Sequence, residues 1–389
     1  MQRHNAVVLG ASGLVAQRMQ QRLANHPWFE LTAVVGSRRT AGRTLDSLDW
    51  NLPEKKPVLP NLTVLDAADG ALVKQLKDVG ISVAFSCIPA SVADPLELAL
   101  ASSGIAVFSN ASAFRRCDGI PLVISDVNSD HLEHFGGSGY ALACATNCTL
   151  IPLAVPAAAL ARTFGIRNVK MNSEQALSGA GYELVLDAQA LNGNHSPEIP
   201  GEAEKTASEL LHVLGTSVNT QRNEVCQMGV HRNHQSITES TSHVIAMDAE
   251  VEVSCQRVTR IDGHQIFVSI QLEHPTTIDN VLACLENWNP TETVGECPSA
   301  PHRSLHIVEQ IDVEEHLWSN GLEFQSQPDP STDLKAGMAI VIGSVRMTSP
   351  TNVVFSAYSH NTVRGAAGGT MWLAEQAYIQ NKLSNHQQA

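Results

Sequence analysis

Apolar residues follow two rhythms along this chain. Up to about residue 146, short apolar runs recur at 6–9, 31–35, 62–65, 83–88, 106–108 and 122–124, separated by polar or helix-periodic stretches such as 17–24. Short runs alternating with helical segments predict a doubly wound, mostly parallel sheet of the Rossmann type. Further on, residues 251–258 and 265–272 alternate apolar with polar, as strands do when one face meets a core and the other meets water. Residues 170–175 predict a further strand end and 150–155 the start of a helix. The fold class is therefore α/β: a Rossmann-like sheet, then an α+β unit with a mixed or antiparallel sheet.

The join between the first run and its helix is rich in small residues: Gly10, Ala11, Ser12, Gly13, Leu14, Val15, Ala16. Gly10 suits the tight turn, Gly13 lets the backbone approach a pyrophosphate, and Ala16 lets helix and strand pack closely. The second run ends in Ser37, Arg38, Arg39 and Thr40 rather than in an acid. A carboxylate there would hold the ribose hydroxyl of NAD, whereas hydroxyls and guanidinium groups suit the 2′-phosphate of NADP. NADP is the expected cofactor, the alternative being that Arg38 and Arg39 are solvated loop charges.

With 389 residues the chain is long enough for about two domains, and with 43% hydrophobic and 16% charged residues it is of ordinary globular composition. Its net charge of −14, with no basic run, argues against nucleic acid or an anionic membrane as partner. The first five residues lack the pattern of a secretory signal, and no stretch reaches membrane-spanning length. Eight cysteines without close paired spacing fit a reducing, cytoplasmic setting. Cys226, His231 and His234 fall in a long polar stretch, 216–243, but lack a zinc-site spacing, and no metal is expected.

Cys148 stands out chemically. It lies in Asn147-Cys148-Thr149, just before the apolar run at 150–155. At the N-terminal edge of a helix, free amides and the macrodipole favour a thiolate, the form that attacks carbonyl carbon. His264 and Arg257 flank what reads as one hairpin-like connection between two strands. Nucleophile, imidazole and guanidinium on separate segments are the parts of thiol-dependent acyl chemistry.

Taken in order, these motifs resemble the aspartate-semialdehyde dehydrogenase family over nearly the whole chain. The glycine turn is followed by His26-Pro27-Trp28-Phe29-Glu30-Leu31, and Ser37 to Gly42 is similar to the family's cofactor-phosphate loop. Ser109 to Arg115, Asn147-Cys148-Thr149, Gln175 to Gly181, Gly201 to Lys205, Arg257 with His264, and Asn361 to Gly368 complete the set.

The resemblance implies a catalytic group of Cys148 as nucleophile, His264 as proton shuttle with a pKa near working pH, and Gln175 as an orienting group. It implies that Arg115, Asn110, Glu202, Lys205 and Arg257 bind substrate. Gly10, Ser12, Gly13, Leu14, Val15, Ser37, Arg38, Arg39, Ser178, Gly179 and Asn361 would bind cofactor, Asn361 at the nicotinamide amide. The reaction implied is reduction of β-aspartyl phosphate to L-aspartate β-semialdehyde with release of phosphate, as in lysine, methionine and threonine biosynthesis, by a homodimer or homotetramer.

Expected domains are 1–146, completed by a C-terminal helix within 365–389, for the cofactor, and 147–364 for catalysis and dimerisation. Rival readings are a malonyl-CoA or related acyl-CoA reductase of the same fold, and a non-catalytic nucleotide-binding paralogue. The sequence departs from the family pattern at Thr146, His360 and Gly343 to Arg346, and in the long stretch 216–243.

Overall fold

A computed structural model of the chain describes residues 3–218, 244–288 and 294–383. Its first sheet contains β1 (His4–Leu9), β2 (Phe29–Gly36), β3 (Leu65–Asp66), β4 (Val83–Ser86), β5 (Ala106–Ser109), β6 (Leu122–Val123) and β7 (Leu142–Ala145). Their order is β3-β2-β1-β4-β5-β7-β6, with every pairing parallel. Alternate residues feed opposite faces. Val7, Ala84 and Val107 pack toward α2 (Leu72–Asp78) and α3 (Ala90–Ser102). Val8, Phe85 and Phe108 join a second core with Met19 and Leu23 of α1 (Leu14–Leu23). Strand order reverses between β1 and β4, and such a switch point leaves a crevice at the strands' carboxyl ends where ligands bind.

The polar face of α1 is not in solvent. Gln17, Arg18, Gln21 and Arg22 are all at most 2% exposed, because later parts of the chain fold over them. Arg22 donates to the Leu334 carbonyl and to Ser299 Oγ, and Arg18 lies over the Trp318 ring and pairs with Glu54.

After β7 the chain turns through Asn147–Leu150 into α4 (Ile151–Phe164), whose residues 151–160 are all buried. Then come β8 (Ile166–Gln175), the single-turn helices α5 (Tyr182–Val185) and α6 (Ala188–Leu191), α7 (Glu202–Val213) and the short pair β9 (Thr216–Ser217) and β10 (Val244–Ile245). β11 (Glu250–Arg257), β12 (His264–Leu272), α8 (Ile278–Glu286), β13 (Leu305–Ile307), β14 (Ile340–Ser349), β15 (Asn352–Ser359) and α9 (Gly368–Ile379) follow. The second sheet runs β11-β8-β12-β15-β14-β13 and is mixed, with β11–β8 and β13–β14 parallel and the rest antiparallel. α9 returns to the first sheet, placing Met371, Leu373 and Ala374 in the core shared with β1 and β4.

One expectation needs correcting here. β11 and β12 do not form a hairpin, because β8 lies between them and pairs with both. The connection 258–263 arches over the end of β8: Leu177 and Ser178 donate backbone N–H groups to the Arg260 and Ile261 carbonyls. Arg257 is thereby set directly across from Gln175. The helix expected within 365–389 begins at Gly368, after a π-helical turn at Val363–Ala367. Residues 219–243, with Cys226, His231 and His234, lie outside the described residues.

Candidate active site

The Cys148 turn forms because Asn147 folds back on it. Asn147 Oδ1 accepts from the Thr149 N–H at 2.9 Å, and the Leu150 N–H reaches the Asn147 carbonyl at 3.1 Å. Two acids from one face of α7 hold this turn from outside. Glu202 Oε1 accepts from Asn147 Nδ2 at 2.8 Å and from Thr149 Oγ1 at 3.3 Å, and Glu209 Oε2 accepts from the Asn147 backbone N–H at 2.7 Å. Glu209 was invisible to motif reading. Its only signal is a spacing of seven from Glu202, which is two helical turns.

Cys148 Sγ lies 3.3 Å from His264 Nε2. On the far side of that ring, Nδ1 accepts from the Ala176 N–H at 3.1 Å. A nitrogen that accepts from a backbone amide carries no hydrogen, so the neutral ring keeps its proton on Nε2, aimed at the sulfur. His264 is fully buried, and burial first, then Arg257 and Arg260, lowers its pKa to about 3. The expectation of a pKa near working pH is thus replaced by a neutral donor.

The expectation of a stabilised thiolate also changes. α4 begins at Ile151, so Cys148 sits in the turn before the helix rather than on its first residues. Burial, then Glu202, raises its pKa to about 12, while Arg115 and Arg257 oppose them. Before ligands bind, thiol and imidazole are both neutral.

The arginines close in from two sides. Arg257 Nη1 donates to the Ala176 carbonyl at 2.8 Å, and burial lowers its pKa while Cys148 and Glu202 act to raise it. Arg115 Nη2 donates to the Asn110 carbonyl at 2.7 Å, its Nη1 is 3.5 Å from Glu209 Oε1, and its buried Nε has no partner among the described residues. Asn110 is itself tied to Ser86 and Thr370. Gln175 is buried beside Ser173. Lys205 is half-buried one turn from Glu202, with its ammonium against Gly201.

A Cβ at Gly179 would stand 2.8 Å from Arg257 Nη1 and 3.3 Å from the His264 ring, so a side chain there would displace the Arg257 guanidinium. Asn361 braces the loops: its Oδ1 accepts from the Gly263 N–H at 2.7 Å and its Nδ2 donates to Ser178 Oγ at 2.8 Å. Both ends of that amide, expected at the nicotinamide, are engaged within the protein. On another side Gly365 leaves no gap, because a Cβ there would stand 2.6 Å from Cys148 Cβ.

Gly10 to Val15 and Ser37 to Arg39 form a separate group at the carboxyl ends of β1 and β2. Gly10 has φ +105° and backs onto the Cys87 carbonyl, where a Cβ would come within 2.9 Å. No side chain caps α1, so its first amides face the crevice without an internal capping partner. Ser37, Arg38 and Arg39 are exposed. Among the described residues, no three His, Cys, Asp or Glu side chains could hold a metal ion, and no helix is long and apolar enough to cross a membrane.

The buried histidines make a pH prediction. His264, His212 (to about 4), His131 and His360 all have lowered pKa values, with burial the first cause. Unfolded histidines take up protons near pH 6.5 while these folded ones resist, so the unfolded state binds more protons below that pH. Their contribution to stability is complete above pH 6.5 and is lost as pH falls toward 4. The melting temperature should drop over that window, and His212→Asn should flatten the slope. An unchanged slope would exclude this ring as a contributor.

Residues 5–135 match the family model described as semialdehyde dehydrogenase, NAD binding domain, and residues 157–364 match semialdehyde dehydrogenase, dimerisation domain. The aspartate-semialdehyde dehydrogenase of Archaeoglobus fulgidus is 31% identical over 381 residues, covering 96% of this chain and 97% of that protein. That of Trichophyton rubrum is 32% identical, covering 96% of each. The crystal structure of aspartate semialdehyde dehydrogenase with NADP from Candida albicans has a TM-score of 0.74 and 26% identity, over 98% of this chain and 99% of that one. With both halves matched in order and relatives above 30% identity along nearly its whole length, the chain belongs to the aspartate-semialdehyde dehydrogenase family.

Proposed function

We propose that the protein catalyses the NADP-dependent interconversion of β-aspartyl phosphate and L-aspartate β-semialdehyde, with phosphate released in the reductive direction. The observation that carries this reading is the contact of Cys148 Sγ with His264 Nε2, flanked by two arginines in an otherwise acidic protein.

The cofactor groups fit a dinucleotide. Gly10 and Gly13 bring backbone and free α1 amides toward a pyrophosphate, and Ser37, Arg38 and Arg39 suit a 2′-phosphate. When bound, the reduced nicotinamide supplies a hydride to the acyl carbon.

The chain's own residues do the rest. Arg115 and Lys205 attract the phosphate, and Arg257 offers a planar fork to the α-carboxylate. An anionic acyl phosphate beside Arg115 and Arg257 is met by the Cys148 sulfur, which bonds to the acyl carbon as the bond from that carbon to the phosphate oxygen breaks. The thiol proton leaves on the departing phosphate, and a thioester remains. The Nε2–H of His264 is directed at the reacting centre and donates to the oxyanion formed on hydride arrival. That hemithioacetal oxyanion collapses directly to aldehyde and thiolate. This makes His264 a hydrogen-bond donor, a role that a ring lowered to about 3 fills at any working pH. Gln175, buried on the same sheet face as Arg257, orients the acyl group.

A dimer is supported by the matched dimerisation domain and by the open face of the mixed sheet. Lys170, Asn172, Glu252, Ser254 and Phe267 (44% exposed) lie on that face, opposite the side covered by α4 and α8. A cytoplasmic setting suits the free state of all seven described cysteines.

The test is an assay of purified protein with L-aspartate β-semialdehyde, phosphate and either NADP or NAD, set against malonyl-CoA with NADPH. Phosphate-dependent reduction of NADP is expected. Faster turnover of malonyl-CoA would overturn the choice of substrate.

A further inference from the structure

Glu209 belongs to no motif, yet its side chain touches both the nucleophile turn and Arg115. Its carboxylate is 3% exposed. Oε2 takes the backbone N–H of Asn147, the residue before the nucleophile, at 2.7 Å, and Oε1 lies 3.5 Å from Arg115 Nη1. A buried carboxylate is costly unless its oxygens are used, and both of these are. Because the first contact is to backbone, no substitution at Asn147 can replace it.

We infer that Glu209 is a positioning residue with two separable actions. Through Oε2 it fixes the backbone from which Cys148 projects toward His264. Through its charge it offsets Arg115, which weakens the hold on phosphate enough for phosphate to leave. Arg115 has one edge committed to the Asn110 carbonyl and one facing Glu209, and its buried Nε is unpartnered among the described residues. An anion arriving there must share the guanidinium with Glu209.

The inference rests on the phosphate-dependent reading above, and the test separates the two. Glu209→Gln keeps an oxygen that accepts the Asn147 N–H but removes the charge. Glu209→Ala removes both, and Glu209→Asp keeps the charge one methylene too short to reach. Glu209→Ala should lower kcat about 100-fold, the scale of effect of an ångström-sized misplacement of a reacting group. Its NADP affinity should stay within about threefold of wild type, since Glu209 touches no cofactor residue. Glu209→Gln should have a kcat at least about tenfold above that of the alanine variant, and a phosphate KM about threefold below wild type, as expected for removing one partly screened charge.

Alkylation of Cys148 by iodoacetamide, followed by mass spectrometry, needs no substrate and so does not depend on the reaction assigned. It should be faster in Glu209→Ala than in wild type and unchanged in Glu209→Gln. If the alanine variant does not fold, the same comparison is made with Glu209→Asp. A folded alanine or aspartate variant with wild-type kcat and alkylation rate would overturn the positioning role. A phosphate KM unchanged in Glu209→Gln would overturn the charge role. Wild-type protein inactive with phosphate but reactive at Cys148 would overturn the reaction and leave the alkylation comparison standing.

Discussion

Cys148→Ser should leave the protein folded and able to bind NADP while turnover falls by at least about 1,000-fold, because a serine hydroxyl is far less nucleophilic than a thiol in the same place. The exchange is nearly isosteric, so the 3.3 Å approach to His264 and the contact with Gly365 are kept. What disappears is a group that ionises. Even in the free protein the thiol is raised to about 12, chiefly by burial, and Arg115 and Arg257 already oppose that shift. The sulfur gives up its proton as it bonds to the acyl carbon and phosphate departs, and a hydroxyl starts much too far away to follow. Initial rates with semialdehyde, phosphate and NADP, circular dichroism and cofactor titration together check the expectation. A folded serine variant within tenfold of wild-type rate would remove Cys148 from the chemistry.

The glycine turn and the nucleophile turn were legible in the residues because local chemistry determines them. Gly10 takes a positive φ against a carbonyl, and Asn147 closes a turn with its own side chain. What depended on the third dimension was not legible. The alternation in 251–258 and 265–272 correctly marks two strands but says nothing of β8 passing between them, since strand neighbours are set by topology. β14 and β15 carry no clear alternation in the sequence although they pair over most of their length. β14 mixes a buried half with a polar half and is broken at Ser344, which has φ +55°, so no single period runs through it. The polar residues of α1 look solvent-facing until residues from 299–334 cover them. The ionisation of Cys148 and His264 could not be read either. Motifs name the groups, but burial and the placement of Arg257, Arg260 and Glu202 determine which state each prefers.

Gly365→Ala is the second large effect expected, and space rather than backbone conformation is the reason. The added Cβ would stand 2.6 Å from Cys148 Cβ and 3.0 Å from its Cα, closer than carbon atoms approach without movement. Neither side yields easily. Gly365 is held in a π-helical turn by its N–H to the His360 carbonyl, a geometry found mostly at functional sites. The next residue back, Arg364, is buried with its guanidinium paired to Asp126 at 2.5 Å and lying over Trp372. The Cys148 turn is pinned by Glu202 and Glu209, whereas its sulfur is held by side-chain contacts with His264 and Thr149, so the approach to His264 opens first. Turnover should drop about 100-fold, with a stability loss of about 1–3 kcal/mol from overpacking. For a chain of this size that loss is a fall of several degrees in Tm, too little to unfold the protein at assay temperature and so not the cause of the lost rate. Gly70→Ala, at a position with nothing within 4 Å of the added carbon, serves as the control and should match wild type in both readouts. If Gly365→Ala retained wild-type kcat, the close contact would have no part in aiming the sulfur, and the π-helical turn would need another explanation.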